Sequence, residues 1–128
     1  MAGPDREGQG AYVAPMATLP TDTGATLPDP AQLEQLNDRA AQASRMLKLL
    51  ASEQRLRILC RLGEGEASVN ELAHYAGLAQ AATSQHLAKL RAEHIVEVRR
   101  EGQTIYYSLK DPAAVRMIDT LCEIYGPA

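Results

Sequence analysis

At 128 residues the chain has room for one domain with a modest core. Its 13 Lys and Arg against 16 Asp and Glu give a formal net charge of -3, so the whole chain is no polycation and the distribution of charge matters more than its sum. No apolar run is long enough to span a membrane, no signal peptide is legible, and two cysteines make neither a disulfide scaffold nor a C-x-x-C zinc knuckle, so a cytoplasmic protein with free thiols is expected.

Residues 1–28 are rich in Gly, Pro, Ala and Thr and show no period, which predicts a disordered tail whose one basic residue is Arg6. Residues 29–126 then form the predicted domain. It opens with Asp29 and Pro30, an N-cap followed by a first-turn proline. The helix behind them carries Leu33, Leu36, Ala40, Ala43, Leu47 and Leu50 at alternating spacings of three and four, a heptad seam that asks for a helical partner. A second copy of the chain is one such partner; the other reading is that the helix covers its own core. Ser52 caps a shorter helix from Glu53 to about Leu62, ended by Gly63 and Gly65, with Leu56, Leu59 and Cys60 inward. Its Arg55, Arg57 and Arg61 are expected to be solvated or paired with acids, with one or two in reach of phosphates.

From Ser68 to Glu71 the pattern S-x-x-E is a capping box, so a helix begins at Val69; Val69, Leu72, Ala73 and Ala76 share a face, and Gly77 ends it. A second helix begins near Gln80. Along it Thr83, Leu87 and Leu90 fall inward, Ala81, Ala82, Gln85 and Lys89 point away, and Ser84 and His86 lie on the flanks. That outer face is small and hydrogen-bonding, suited to close approach to base edges. Residues 95–100 alternate and are β-branched, as are Thr104 to Ser108, joined through Glu101-Gly102-Gln103: a hairpin wing with Arg99, Arg100 and Gln103 beside its tip. Helix, turn, helix and wing together present one helix and one loop to duplex DNA. In the wing, one of Tyr106 and Tyr107 is expected on the core and the other toward solvent or DNA. Asp111 and Pro112 then open a last helix with Val115, Ile118, Cys122 and Tyr125 on one stripe.

The segment from Leu47 to Pro112, and above all SQHLAKLRAEHIVEVRREGQTIYYS, resembles the winged helix-turn-helix domain of the ArsR/SmtB family of bacterial repressors, most closely its nodulation-regulator branch. The resemblance implies a mainly α fold with a small β-hairpin wing, dimerising through its N- and C-terminal helices, and a homodimeric repressor of double-stranded DNA. Leu33, Leu36, Ala40, Ala43, Leu47, Ile118, Cys122 and Tyr125 are the expected dimer interface. Gln80 joins Ser84 and Gln85 as a base-reading candidate by this resemblance, and Ala81, Ala82, His86, Lys89, Arg99, Arg100 and Gln103 complete the expected DNA surface.

The family also implies release by a metal or a thiol oxidant in some members. Thiol- and persulfide-sensing members carry a cysteine in the context that Cys60 occupies here, but their second cysteine aligns with Gly126, and Cys122 lies about one helical turn earlier. Two readings stand: a sensing pair answering a thiol-reactive inducer, or two small buried residues on inner helix faces, in a repressor with no such inducer. Neither family metal site can be assembled, since its C-x-C slots hold Ser68 and Asn70 and the last helix keeps Asp111 without a histidine. No cofactor or metal is expected. Catalytic motifs are absent, and Ser84 and His86, two apart on a helix, do not face each other as nucleophile and base, so no enzyme activity is expected. The rival from another class is a protein-interaction module that has lost DNA binding.

Overall fold

The computed structural model describes residues 26–127, so the tail expected over residues 1–28 lies almost wholly outside the described residues. The elements are α1 (Pro30–Asp38), α2 (Ala40–Leu50), α3 (Glu53–Leu62), β1 (Ala67–Ser68), α4 (Val69–Ala76), α5 (Gln80–Ala92), β2 (Val96–Glu101), β3 (Thr104–Leu109) and α6 (Pro112–Tyr125). The chain divides into two units between Gln35 and Leu36. In the first, Asp29 caps α1 reciprocally with Gln32: the Gln32 amide donates to Asp29 Oδ1 at 2.8 Å and the Asp29 amide to Gln32 Oε1 at 2.9 Å.

The single helix expected from Pro30 to Leu50 is interrupted at Arg39, which takes φ −111° and ψ 23° and whose amide donates to the Leu36 carbonyl at 3.1 Å. Neither Pro nor Gly lies there, and nothing in the sequence explains the break. The heptad seam therefore runs over two helices, with Leu33, Leu36 and Leu47 all exposed.

The core of the second unit is aliphatic, as a chain without Phe or Trp requires: Ile58, Leu59, Leu72, Leu87, Leu90 and Ile95 are fully buried. α3 turns Ile58, Leu59 and Leu62 inward and leaves Cys60 exposed, which corrects the inward placement expected for that cysteine. One residue past Leu59 is about 100° further round a helix, enough to carry Cys60 out of the buried stripe. α6 is turned likewise. Ala114 and Ile118 are buried with Met117 and Leu121 packed beside them, while Val115, Cys122 and Tyr125 of the expected stripe are exposed.

Arg55 ties α3 to the end of α2. Its Nε donates to the Leu49 carbonyl at 2.7 Å and its Nη2 to the Lys48 carbonyl at 3.1 Å, satisfying groups the helix leaves without internal partners. Arg57 pairs with Glu53, and Arg61 donates to the Gly65 carbonyl at 3.3 Å. The capping box of α4 is present in full, with Glu71 amide to Ser68 Oγ at 3.2 Å and Ser68 amide to Glu71 Oε1 at 2.8 Å, and Gly77 closes the helix at φ 69°.

The wing is a sheet of three antiparallel strands in the order β1-β3-β2, not a hairpin of two. β1 adds Ala67 opposite Tyr107 and Ser68 opposite Tyr106. Glu101 pairs with Thr104, so the link shortens to Gly102-Gln103, with Gly102 at the φ of 63° that such a turn demands.

Candidate nucleic-acid interface

α5 separates two faces. Thr83, Leu87 and Leu90 are buried, and Gln80, Ala81, Ser84, Gln85 and Lys89 are exposed on the other side, as their spacing predicts. Ala82, expected to point away, is half-buried, as is His86. Thr83 Oγ1 donates to the Ala79 carbonyl at 3.0 Å, so the polar side chain in the core is satisfied. Ala79 begins the helix without a side-chain cap, which leaves the first-turn amides to water or to an approaching oxygen. Burial first, then the positive Arg55 and Lys89, push the His86 pKa down, so at neutral pH its imidazole is neutral.

Between α5, the start of α4 and the wing tip lies a cleft of about 220 Å³, lined by Ser68, Asn70, Gln80, Gln103 and Thr104. Its polar groups are uncharged donors and acceptors. Gln80 and Gln103, singled out from the sequence, both line this cleft; Asn70 was missed, because no local signal marks a first-turn asparagine as lining the same cleft as a loop more than thirty residues away.

The two wing arginines lie on opposite faces of β2, since strand side chains alternate. Arg100 stands opposite Ile105, on the face whose Val96, Tyr107 and Leu109 pack on the core. Arg99 stands opposite Tyr106 on the outer face. Its Nε and Nη2 each donate to Glu66 at 2.9 Å, its Nη1 donates to Glu101 at 2.7 Å, and its guanidinium carbon lies 4.8 Å from the centre of the Tyr106 ring. The hydrogen bonds that Arg99 donates to Glu66 and Glu101 hold it above the ordinary guanidinium range, and the same bond from Arg99 holds the Glu66 carboxyl below the ordinary carboxylate range. Among the described residues Arg100 pairs with no carboxylate. Tyr107 packs on the core, and Tyr106 is the tyrosine that faces out.

Away from this surface, Cys60 and Cys122 line one groove of about 460 Å³ with Leu56, Ile118, Leu121 and Tyr125. Burial against the groove wall first, and the neighbouring Cys122 second, push the Cys60 thiol up, so it is protonated at neutral pH and a slow nucleophile. A second apolar groove, about 600 Å³, runs between α2, α3 and α6 past Leu47, Leu50, Leu56, Met117 and Leu121. Exposed Leu47 and Tyr125 flank these grooves, whereas Ile118, expected at an interface, is buried in its own chain. Among the described residues no three His, Cys, Asp or Glu gather closely enough to hold a metal ion, and no helix is long and apolar enough to cross a membrane.

Residues 52–98 match the family described as bacterial regulatory protein, arsR family. The chain is 42% identical over 99 residues to the transcriptional activator HlyU of Vibrio cholerae, covering 77% of this chain and 92% of that protein. It is 44% identical over 90 residues to the nodulation protein NolR of Rhizobium meliloti, covering 70% of this chain and 74% of that protein. The crystal structure of the transcriptional repressor BigR from Xylella fastidiosa superposes with a TM-score of 0.70 at 37% identity, covering 74% of this chain and 97% of that one. Such even likeness to differently named regulators assigns no single branch, the nodulation regulators included.

Proposed function

The chain belongs to the ArsR family of bacterial regulatory proteins, which bind DNA to control transcription and are not enzymes, and on that premise we propose that it acts as a homodimeric repressor. The observation that carries this reading is the outer face of α5, where Gln80, Ser84, Gln85 and Lys89 are exposed beside a wing tip bearing Arg100 and Gln103. Gln80, Ser84 and Gln85 read base edges in a major groove, with Ala81 and Ala82 allowing close approach. Lys89, Arg100 and Gln103 meet the backbone or the minor groove, and neutral His86 donates to a phosphate from the flank. Two protomers, joined through Leu33, Leu36, Ala40, Ala43 and Leu47 of α1 and α2 and Cys122 and Tyr125 of α6, set two such helices on half-sites about 34 Å apart. The exposed apolar side chains support that surface.

A thiol switch is the second reading, supported by two exposed cysteines in one groove. Cys60 and Cys122 would join as a disulfide, passing two electrons and two protons to a disulfide oxidant that leaves as two thiols. The test of both is anisotropy of a labelled duplex from the gene's own upstream region, with reduced and with oxidised protein, beside transcription from the same template. Reduced protein should bind and lower transcript. Binding that raises transcript makes it an activator, and absence of binding at low salt makes it a protein-interaction module. If oxidised protein binds as tightly, the cysteines are structural; if it releases, single Cys→Ser variants should lose the switch.

A further inference from the structure

We infer that Arg99 is a positioning residue, which clamps the wing to the segment before β1, and that Arg100 supplies the wing's cationic contact to DNA. The inference rests on the DNA-binding reading and divides labour between two adjacent arginines that sequence alone cannot tell apart.

Four observations carry it. Arg99 grips Glu66 with two parallel hydrogen bonds of 2.9 Å, the bidentate fork that gives an ion pair fixed geometry. Exposed ion pairs are ordinarily worth little, and this one escapes that rule by geometry and by network, since Glu101 takes the third nitrogen side and Tyr106 supports the guanidinium plane. Glu66 and Glu101 outnumber the one guanidinium, so the cluster as a whole is negative and repels a phosphate. Strand parity places that cluster on the outer face of the wing, while Arg100 shares its face with Ile105, which lines the cleft reaching Gln80 and Asn70. Arg100, which pairs with no carboxylate among the described residues, is thus the wing cation left to meet a duplex engaged by α5. Arg99 acts on it through the angle at which the wing is held.

Glu66 is well placed for this task. It follows Gly63 and Gly65, the second at φ 135°, and precedes the two-residue strand β1, which alone would hold the wing by few backbone bonds. The fork from β2 to Glu66 reaches across β3 and fixes all three strands as one body.

The experiment uses full-length protein and a labelled duplex of mixed sequence, titrated from low to high salt. Wild type is compared with Arg99→Ala, Glu66→Gln, Arg100→Ala and the swapped pair Glu66→Arg with Arg99→Glu. A variant that neutralises one phosphate fewer should show a plot of log affinity against log salt that is flatter by about 0.9. Arg100→Ala should flatten it. Arg99→Ala and Glu66→Gln should weaken binding several-fold at an unchanged slope, and the swapped pair should recover the loss to within about twofold, because a clamp works in either direction while a cation on a phosphate does not. Circular dichroism confirms that each variant folds, and the swapped pair keeps the test intact if Arg99→Ala does not. A flattened slope in Arg99→Ala, a swapped pair no better than Arg99→Ala, or tighter binding by Glu66→Gln would each overturn the inference. Amide exchange across β2 and β3 separates it from the reading beneath: exchange should quicken in Arg99→Ala and not in Arg100→Ala. If wild type binds no duplex, the DNA reading and the role of Arg100 fall, while quickened exchange would still establish the clamp.

Discussion

Gln85 and Lys89 occupy the same exposed face of α5, yet they can tell a duplex different things. A glutamine amide discriminates donor from acceptor on a base edge, whereas an ammonium meets any phosphate. Gln85→Ala should therefore cost about 1–3 kcal/mol on the preferred site and little on mixed sequence, read by competition anisotropy. Equal losses on both would remove it from the readout set. A second residue-level prediction concerns stability. His94 adopts φ 62° after α5, where its amide donates to Arg91 and that of Ile95 to Leu90, so a β-carbon occupies a position that favours glycine. Relief of about 1 kcal/mol of left-handed strain, less the extra chain entropy of glycine, should make His94→Gly more stable by about 0.5 kcal/mol in urea unfolding. At this scale the sequence was legible wherever neighbours decide. Spacing alone separated Thr83, Leu87 and Leu90 from Gln85 and Lys89. It could not separate Arg99 from Arg100, because the partner that does so, Glu66, lies 33 positions away.

Elements were legible where local chemistry sets their ends. Ser68 and Glu71 announce the start of α4, and Asp111 with Pro112 that of α6, because a cap is an interaction among residues within a turn of each other. Ser68→Ala should lower stability by about 1 kcal/mol in thermal or urea unfolding. The same box adds a pH dependence. Hydrogen bonds from the Ser68 amide and hydroxyl hold the Glu71 carboxyl below its ordinary pKa, so its contribution is full above the unfolded value and is lost as pH falls through the folded one. Glu71→Gln should make the acid limb of the stability profile shallower. It will not make it flat, because Glu66 is held down by Arg99 in the same direction. Elements that depend on distant pairing were not legible. β1 has two residues, too few for any period, and exists because β3 offers an edge. The inward stripe of α6 was displaced by a residue because Ala114 and Val115 are both apolar, and the core took the smaller one.

The whole molecule raises the question of what covers the apolar surface at its terminal helices. Leu47 is 55% exposed while Leu49, two residues on, is 5% exposed, so the same helix serves a core and an open face. Leu47→Asp should leave helicity unchanged, shift the sedimentation coefficient from dimer to monomer, and weaken DNA binding, because two half-sites then no longer act as one ligand. Leu49→Asp should unfold the chain. A Leu47→Asp protein that sediments as a dimer places the interface elsewhere. The wing sets another condition. The order β1-β3-β2 leaves β2 on an outer edge, where among the described residues the backbone on one side has no partner strand. Such an edge is a template on which foreign strands can add and fibres can grow. Four of its six residues, Glu97, Arg99, Arg100 and Glu101, are charged and cover both faces, so an incoming strand would have to bury charge to join it. The wing can thus stay open to solvent in a crowded cell without seeding aggregates, and neutralising those side chains to probe DNA binding would also remove that protection.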